Sequence, residues 1–153
     1  GLDNMLRSYL IEEHSVSELE DAFIAQTNWD VRKGRPTVVP CAEALENKIY
    51  SDKFHKGFTG TAGGFYGPQG RVVRLNIQDP QLNSKMDAFN YNGTRMTNLE
   101  METSAIYGLG KLLGHNCLSL NAIIANRAVG EFSSNSEKVV NELITYTLDK
   151  LAG

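Results

Sequence analysis

The chain has 153 residues and a mass of 16.9 kDa, is 41% apolar and 22% charged, and carries a net charge of −3 with a pI near 5.6. That hydrophobicity and small charge exclude a disordered segment and supply enough apolar material for one core. No apolar run approaches the roughly 20 residues of a membrane-spanning helix, and no Lys/Arg stripe offers the counter-charge that non-specific nucleic-acid binding needs, so neither a membrane nor a nucleic acid is expected as a partner.

Ser15-Val16-Ser17-Glu18 fits a capping box, and Val16, Leu19 and Phe23 follow at helical spacing, which predicts a helix to about Gln26. From Trp29 to Pro40 the chain is punctuated by Gly34, Pro36 and Pro40 and carries Arg32, Lys33 and Arg35, which reads as a solvated basic loop. Pro40 is placed to open the next helix, with Leu45 and Ile49 at i, i+4. A glycine-rich stretch from Lys56 to Gly70 implies close backbone approach or unusual dihedrals. Arg71 to Ile77 alternates like a strand, Asp79-Pro80 turns, and Gln81 to Phe89 reads as a short helix. Asn92-Gly93 is a hairpin turn, Thr94 to Leu99 a strand, and Met101 to Leu113 a helix apolar nearly all round and therefore buried, stopping at Gly114. Asn116 to Ala125 reads as a buried strand, and an amphipathic helix carries Val139, Val140, Leu143, Ile144, Leu148 and Leu151. Strands alternating with helices predict an α/β architecture with a layered sheet.

No basic-then-apolar leader opens Gly1 to Leu10, and Gly1 runs directly into patterned sequence, which reads as a fragment of a longer protein. Cys41 and Cys117 lie far apart without Cys-x-x-Cys spacing and are read as buried thiols of a reducing compartment, so a cytoplasmic location is expected. The histidines His14, His55 and His115 are isolated, with no carboxylate or cysteine at ligand spacing, and no metal is expected.

Of the residue types that carry chemistry, Gln69 and Arg71 stand out. Two residues apart on extended backbone they face one side, setting an amide that donates and accepts beside a fixed cationic fork. That pair suits a planar ligand with adjacent carbonyl and N–H groups, and Phe65 and Tyr66 add a stacking or edge contact. The glycine-rich stretch lacks Gly-x4-Gly-Lys-Ser/Thr and does not open a helix, so phosphate-loop and dinucleotide readings fail. Glu100-Met101-Glu102 sits where a strand yields to a helix. Glu102 either faces solvent in a first helical turn or accepts hydrogen bonds from a vicinal diol, with Met101 beneath a sugar. Arg127 is either a surface residue at a strand exit or a group close to a ligand.

Gly64-Phe65-Tyr66-Gly67-Pro68-Gln69-Gly70-Arg71, then Asn98-Leu99-Glu100-Met101-Glu102-Thr103-Ser104-Ala105, then Gly114-His115 and Ile124-Ala125-Asn126-Arg127, together resemble the uridine phosphorylases of the nucleoside phosphorylase family, from about Thr37 to the C-terminus. The resemblance implies a three-layer α/β/α fold with a mixed central sheet, present here as its C-terminal part. Residues 15–36 would form a helical insertion and linker, and the N-terminal half would be absent. It implies phosphorolysis of uridine to uracil and ribose 1-phosphate, a place in pyrimidine salvage, phosphate as co-substrate with no other cofactor, and a homo-oligomer built from dimers. Carried over by position, Gln69 would meet the O2 and N3 edge of uracil, Arg71 its O4, and Phe65 the base or sugar. Met101 would pack on ribose, Glu102 would hold the 2′- and 3′-hydroxyls, Glu100 would add a weaker contact, and Ile124 would form part of the apolar wall. Arg127 would stand behind these. Because the family's phosphate site lies in the N-terminal half, this chain alone is expected to bind nucleoside weakly and to catalyse nothing. A nucleosidase, in which water replaces phosphate, and a non-catalytic nucleoside-binding or assembly subunit remain the alternatives.

Overall fold

A computed structural model describes residues 2–3, 6–9, 11–126 and 129–153. In chain order the elements are β1 (Leu2–Asp3), α1 (Ser17–Thr27), β2 (Thr37–Val38), α2 (Glu43–Ile49), β3 (Phe58–Thr61), α3 (Leu82–Ala88), β4 (Asn90–Tyr91), β5 (Thr94–Glu100), α4 (Thr103–Leu112), β6 (Ala125–Asn126), β7 (Glu131–Phe132) and α5 (Ser136–Ala152). This is the expected α/β class. The main sheet has the order β3-β5-β4 and is mixed, with β3 parallel and β4 antiparallel to β5; β1 pairs with β2 and β6 with β7. None of the described helices is long and apolar enough to cross a membrane.

The β4–β5 hairpin forms as its sequence predicts, with Asn92 and Gly93 at φ of 51° and 84°, the left-handed values of a two-residue primed turn. Between β3 and β5 the register slips by one residue: Phe58 faces Met96 but Thr59 faces Asn98, so Thr97 is an extra residue on β5. The slip brings Thr61 opposite Glu100.

Leu19 and Phe23 from α1 pack with Val38, and with Leu82, Met86 and Phe89 on and beside α3, to form the larger core. The Phe23 and Phe89 rings meet edge to face at 5.1 Å. Leu6, Ile11, Val39 and Tyr107 form a second cluster, against which the free, half-buried Cys41 and Cys117 rest. Between the clusters Glu20 is wholly buried: Arg7 Nη2 and, at 3.0 Å, Arg35 Nε donate to its Oε2, and the Val38 amide donates to its Oε1 at 3.0 Å. Arg35 also donates to Asp21 Oδ1 at 2.6 Å, and these two carboxylates raise the Arg35 pKa.

Several local expectations differ from the structure. The capping box does not close, because the Ser15 hydroxyl donates to Glu12 O and completes the preceding 3-10 turn instead. The stretch read as a solvated loop is buried at its end, where Pro36, Thr37, Val38 and Val39 lie inside and β2 forms. The helix α2 begins at Glu43, three residues beyond Pro40, with Ala42 as its extended cap. Arg71 to Ile77 is not a strand, and Leu75 in it is 83% exposed. Asn116 to Ile124 is likewise neither strand nor buried; only Ala125–Asn126 pairs. On α4 the small and polar face is buried, with Thr103, Ser104, Gly108 and Gly110 beside Tyr107, while Ile106, Leu109 and Leu113 remain exposed. The two false strands share one cause. An apolar segment becomes a strand only where a neighbouring strand takes its backbone N–H and C=O groups in a ladder; among the described residues neither segment belongs to a sheet, and 116–124 has only single bonds such as Ala42 N–H to Cys117 O and Ser133 N–H to Ile124 O.

Candidate functional site

Two strand ends carry the candidate residues. β3 and β5 run parallel and finish side by side, with Thr61 opposite Glu100 and the Ala62 amide on Glu100 O at 2.9 Å. The glycine-rich stretch leaving β3 and the Glu100–Glu102 turn leaving β5 therefore start from the same end of the sheet, the carboxyl end at which α/β sheets receive ligands.

Beyond β3, Gly67–Gln69 forms a 3-10 turn with Pro68 in its first positions, and Gly70 follows at φ +74°. A side chain at Gly70 would be strained and would collide with Asn83, so the reversal there requires glycine. The reversal takes the Arg71 amide to Tyr66 O at 3.0 Å and returns the guanidinium over the turn. Its Nη1 donates to Gln69 Oε1 at 2.6 Å and to the Phe65 carbonyl, and its Cζ lies 3.6 Å from the Phe65 ring centre. A weakly hydrated planar cation on an aromatic face gains cation–π energy without losing its in-plane donors. Gln69 is 3% exposed, whereas Phe65 and Tyr66 reach solvent with their rings edge to face at 5.3 Å. Gln69 and Arg71 do meet, but through this turn and not on extended backbone. Arg71 also lines a cavity of about 860 Å3, a volume typical of small-molecule sites, whose walls include Trp29, Lys33, Pro36, Leu75 and Met96.

Beyond β5, the Glu100 carboxylate is fully engaged. Oε1 accepts from the Thr61 hydroxyl at 2.5 Å, and Oε2 accepts from the amides of Glu102 and Thr103 at 2.7 and 2.6 Å. Burial pushes this carboxyl up, but the bonds from Thr61, Glu102 and Thr103 outweigh it, and the net pKa lies below the ordinary 4.5. A carboxyl depressed in the folded state stabilises the fold above its unfolded value and loses that contribution as pH falls through the folded value. Acid unfolding followed by circular dichroism is thus expected to separate wild type from Glu100→Gln at neutral pH and to bring them together at low pH.

Met101 and Glu102 are exposed, and Glu102 Oε2 accepts from the Met101 amide at 3.1 Å. Ile124 is exposed just before β6, and no described contact joins it to either set. Arg127 lies outside the described residues. The structure thus gathers Phe65, Gln69 and Arg71 into one unit and Glu100, Met101 and Glu102 into another. The sequence reading missed Thr61, which only the register of β3 on β5 reveals, and the contribution of Trp29, Lys33 and Pro36 to the cavity wall.

The sequence matches no protein-family model and no curated protein. Among solved structures it is similar to the crystal structure of a nucleoside phosphorylase of Trypanosoma brucei that shows uridine phosphorylase activity, with a TM-score of 0.79 and 23% sequence identity over 98% of this chain and 54% of that one. The chain has the nucleoside phosphorylase fold. It spans about half the length of that relative, and the likeness bears on architecture: the mixed β3-β5-β4 sheet and its helices correspond to part of the nucleoside phosphorylase fold.

Proposed function

We propose that this chain supplies the base- and ribose-binding part of a uridine phosphorylase, which cleaves uridine reversibly with phosphate to uracil and ribose 1-phosphate. What carries the reading is the Gln69–Arg71 pair, pinned at 2.6 Å and backed by Phe65, leaving the sheet at the same end as Glu102. A buried amide beside a fixed guanidinium complements the alternating carbonyl and N–H edge of a pyrimidine dione, and a carboxylate complements a ribose diol.

The chemistry uses these groups as follows. A phosphate oxygen attacks C1′, the N1–C1′ bond breaks, and its electron pair leaves with uracil, spread over the carbonyl oxygens. Arg71 at O4 binds that charge more tightly than the neutral base, so it lowers the barrier and does not merely hold the substrate. Glu102 orients the ribose and faces the positive charge that develops on the sugar. Glu100, with both oxygens occupied, holds the turn that carries Glu102. The phosphate subsite belongs to the remaining half of the fold, in an assembly built from dimers in the cytoplasm.

The test is uracil release from uridine by the full natural protein, with and without phosphate, beside its intact mass. Release that depends on phosphate, from a chain much heavier than 16.9 kDa, is the expected result. Release without phosphate would make the protein a nucleosidase, and nucleoside binding without turnover a binding subunit. Glu102→Gln is expected to weaken uridine kcat/KM about tenfold, the value of one charge-assisted hydrogen bond; unchanged kinetics would remove Glu102 from the sugar site.

A further inference from the structure

We infer that Thr61 is a positioning residue that fixes Glu102 and thereby sets the preference for a ribosyl over a 2′-deoxyribosyl substrate; the inference rests on Glu102 being the diol ligand. Thr61 ends β3, and its hydroxyl works in both directions: it donates to Glu100 Oε1 at 2.5 Å and accepts from the Ser104 amide at 3.0 Å. Glu100 Oε2 takes the amides of Glu102 and Thr103. The backbone N–H groups of residues 102, 103 and 104, which a helix start leaves without intrahelical partners, are all held by this one Thr–Glu pair.

The arrangement has no slack. Glu102 sits between Met101, whose amide its own carboxylate accepts at 3.1 Å, and Thr103, which is buried and bonded through Oγ1 to Ser119 Oγ at 3.2 Å. Ser104 is likewise fully buried, so its amide cannot turn to water if Thr61 is lost. A β-branched residue suits the task because its χ1 is stiff. Thr61 touches no nucleoside atom in this scheme. It acts on the one carboxylate that must meet two adjacent hydroxyls at once, and a 2′-deoxyribose offers only one of them.

The test compares kcat/KM for uridine and 2′-deoxyuridine in the full-length protein. Thr61→Val keeps the shape and removes the hydroxyl, and the uridine-to-deoxyuridine ratio is expected to fall about tenfold, the value of the 2′-hydroxyl bond to Glu102 that a displaced carboxylate no longer makes and that deoxyuridine never makes. Thr61→Ser should restore the ratio, and Thr61→Val should leave it unchanged in a Glu102→Ala background. If Thr61→Val does not fold, Thr61→Ala carries the same comparison. Equal losses on both substrates, or an unchanged ratio, overturn the inference while leaving the phosphorylase reading in place. If the wild-type protein releases no uracil from either substrate, that reading fails and this inference falls with it.

Discussion

Arg71→Ala is expected to lower kcat for phosphate-dependent uracil release about a hundredfold, the usual loss when one preorganised donor is removed from a developing negative charge. The structure adds a reason for the effect to fall on turnover. Arg71 is braced by the Phe65 ring, the Phe65 carbonyl and Gln69 Oε1, so in the proposed site its guanidinium would not have to reorganise as charge builds on the base. Removing it also takes away the Arg71 bond to Gln69 Oε1. Arg71→Lys keeps the charge but not the fork or the stacking, and should recover only a small part of the loss. Steady-state kinetics with uridine at saturating phosphate decide the matter; a kcat close to wild type would take Arg71 out of the transition state.

Glu20→Ala is expected to destabilise the fold by about 3 kcal/mol, which for a chain of this size lowers Tm by about 6–12 °C. The substitution strands the Val38 amide inside the protein and leaves Arg7 and Arg35 without their shared carboxylate. The value belongs at the lower end for broken buried pairs, because Arg7 and Arg35 keep 23% and 39% of their side-chain surface in water. Glu20→Gln retains an acceptor for Val38 and should lose less. Thermal unfolding measures both, and a Tm within error of wild type for Glu20→Ala would show that the arginines hydrate without cost.

The sequence discloses some of these partners and withholds others. Gln69 and Arg71 are two residues apart, so their pairing is legible from local chemistry, even though a turn and not a strand brings them together. The Asn92-Gly93 hairpin is legible for the same reason. Glu20 and Arg35 lie in segments separated by fifteen positions, and Thr61 and Glu100 by thirty-nine; no periodicity reports such partners, because tertiary packing selects them. The false strands at Arg71–Ile77 and Asn116–Ile124 mark the converse limit. Alternation records what a segment would prefer beside a neighbouring strand, and says nothing about whether the neighbour is there.

The extra residue at Thr97 has a consequence for how this chain tolerates change. If Thr97 were kept but paired without a bulge, the ladder that starts at Phe58 and Met96 would put Leu99, not Glu100, across from Thr61. Because side chains alternate between the two faces of a strand, the same slip would turn Glu100 away from the Thr61 hydroxyl and leave the first turn of α4 without its acceptor. Losing Thr97 itself would therefore straighten the ladder and still leave Thr61 across from Glu100, so the strand can give up this residue but cannot keep its length and lose the bulge.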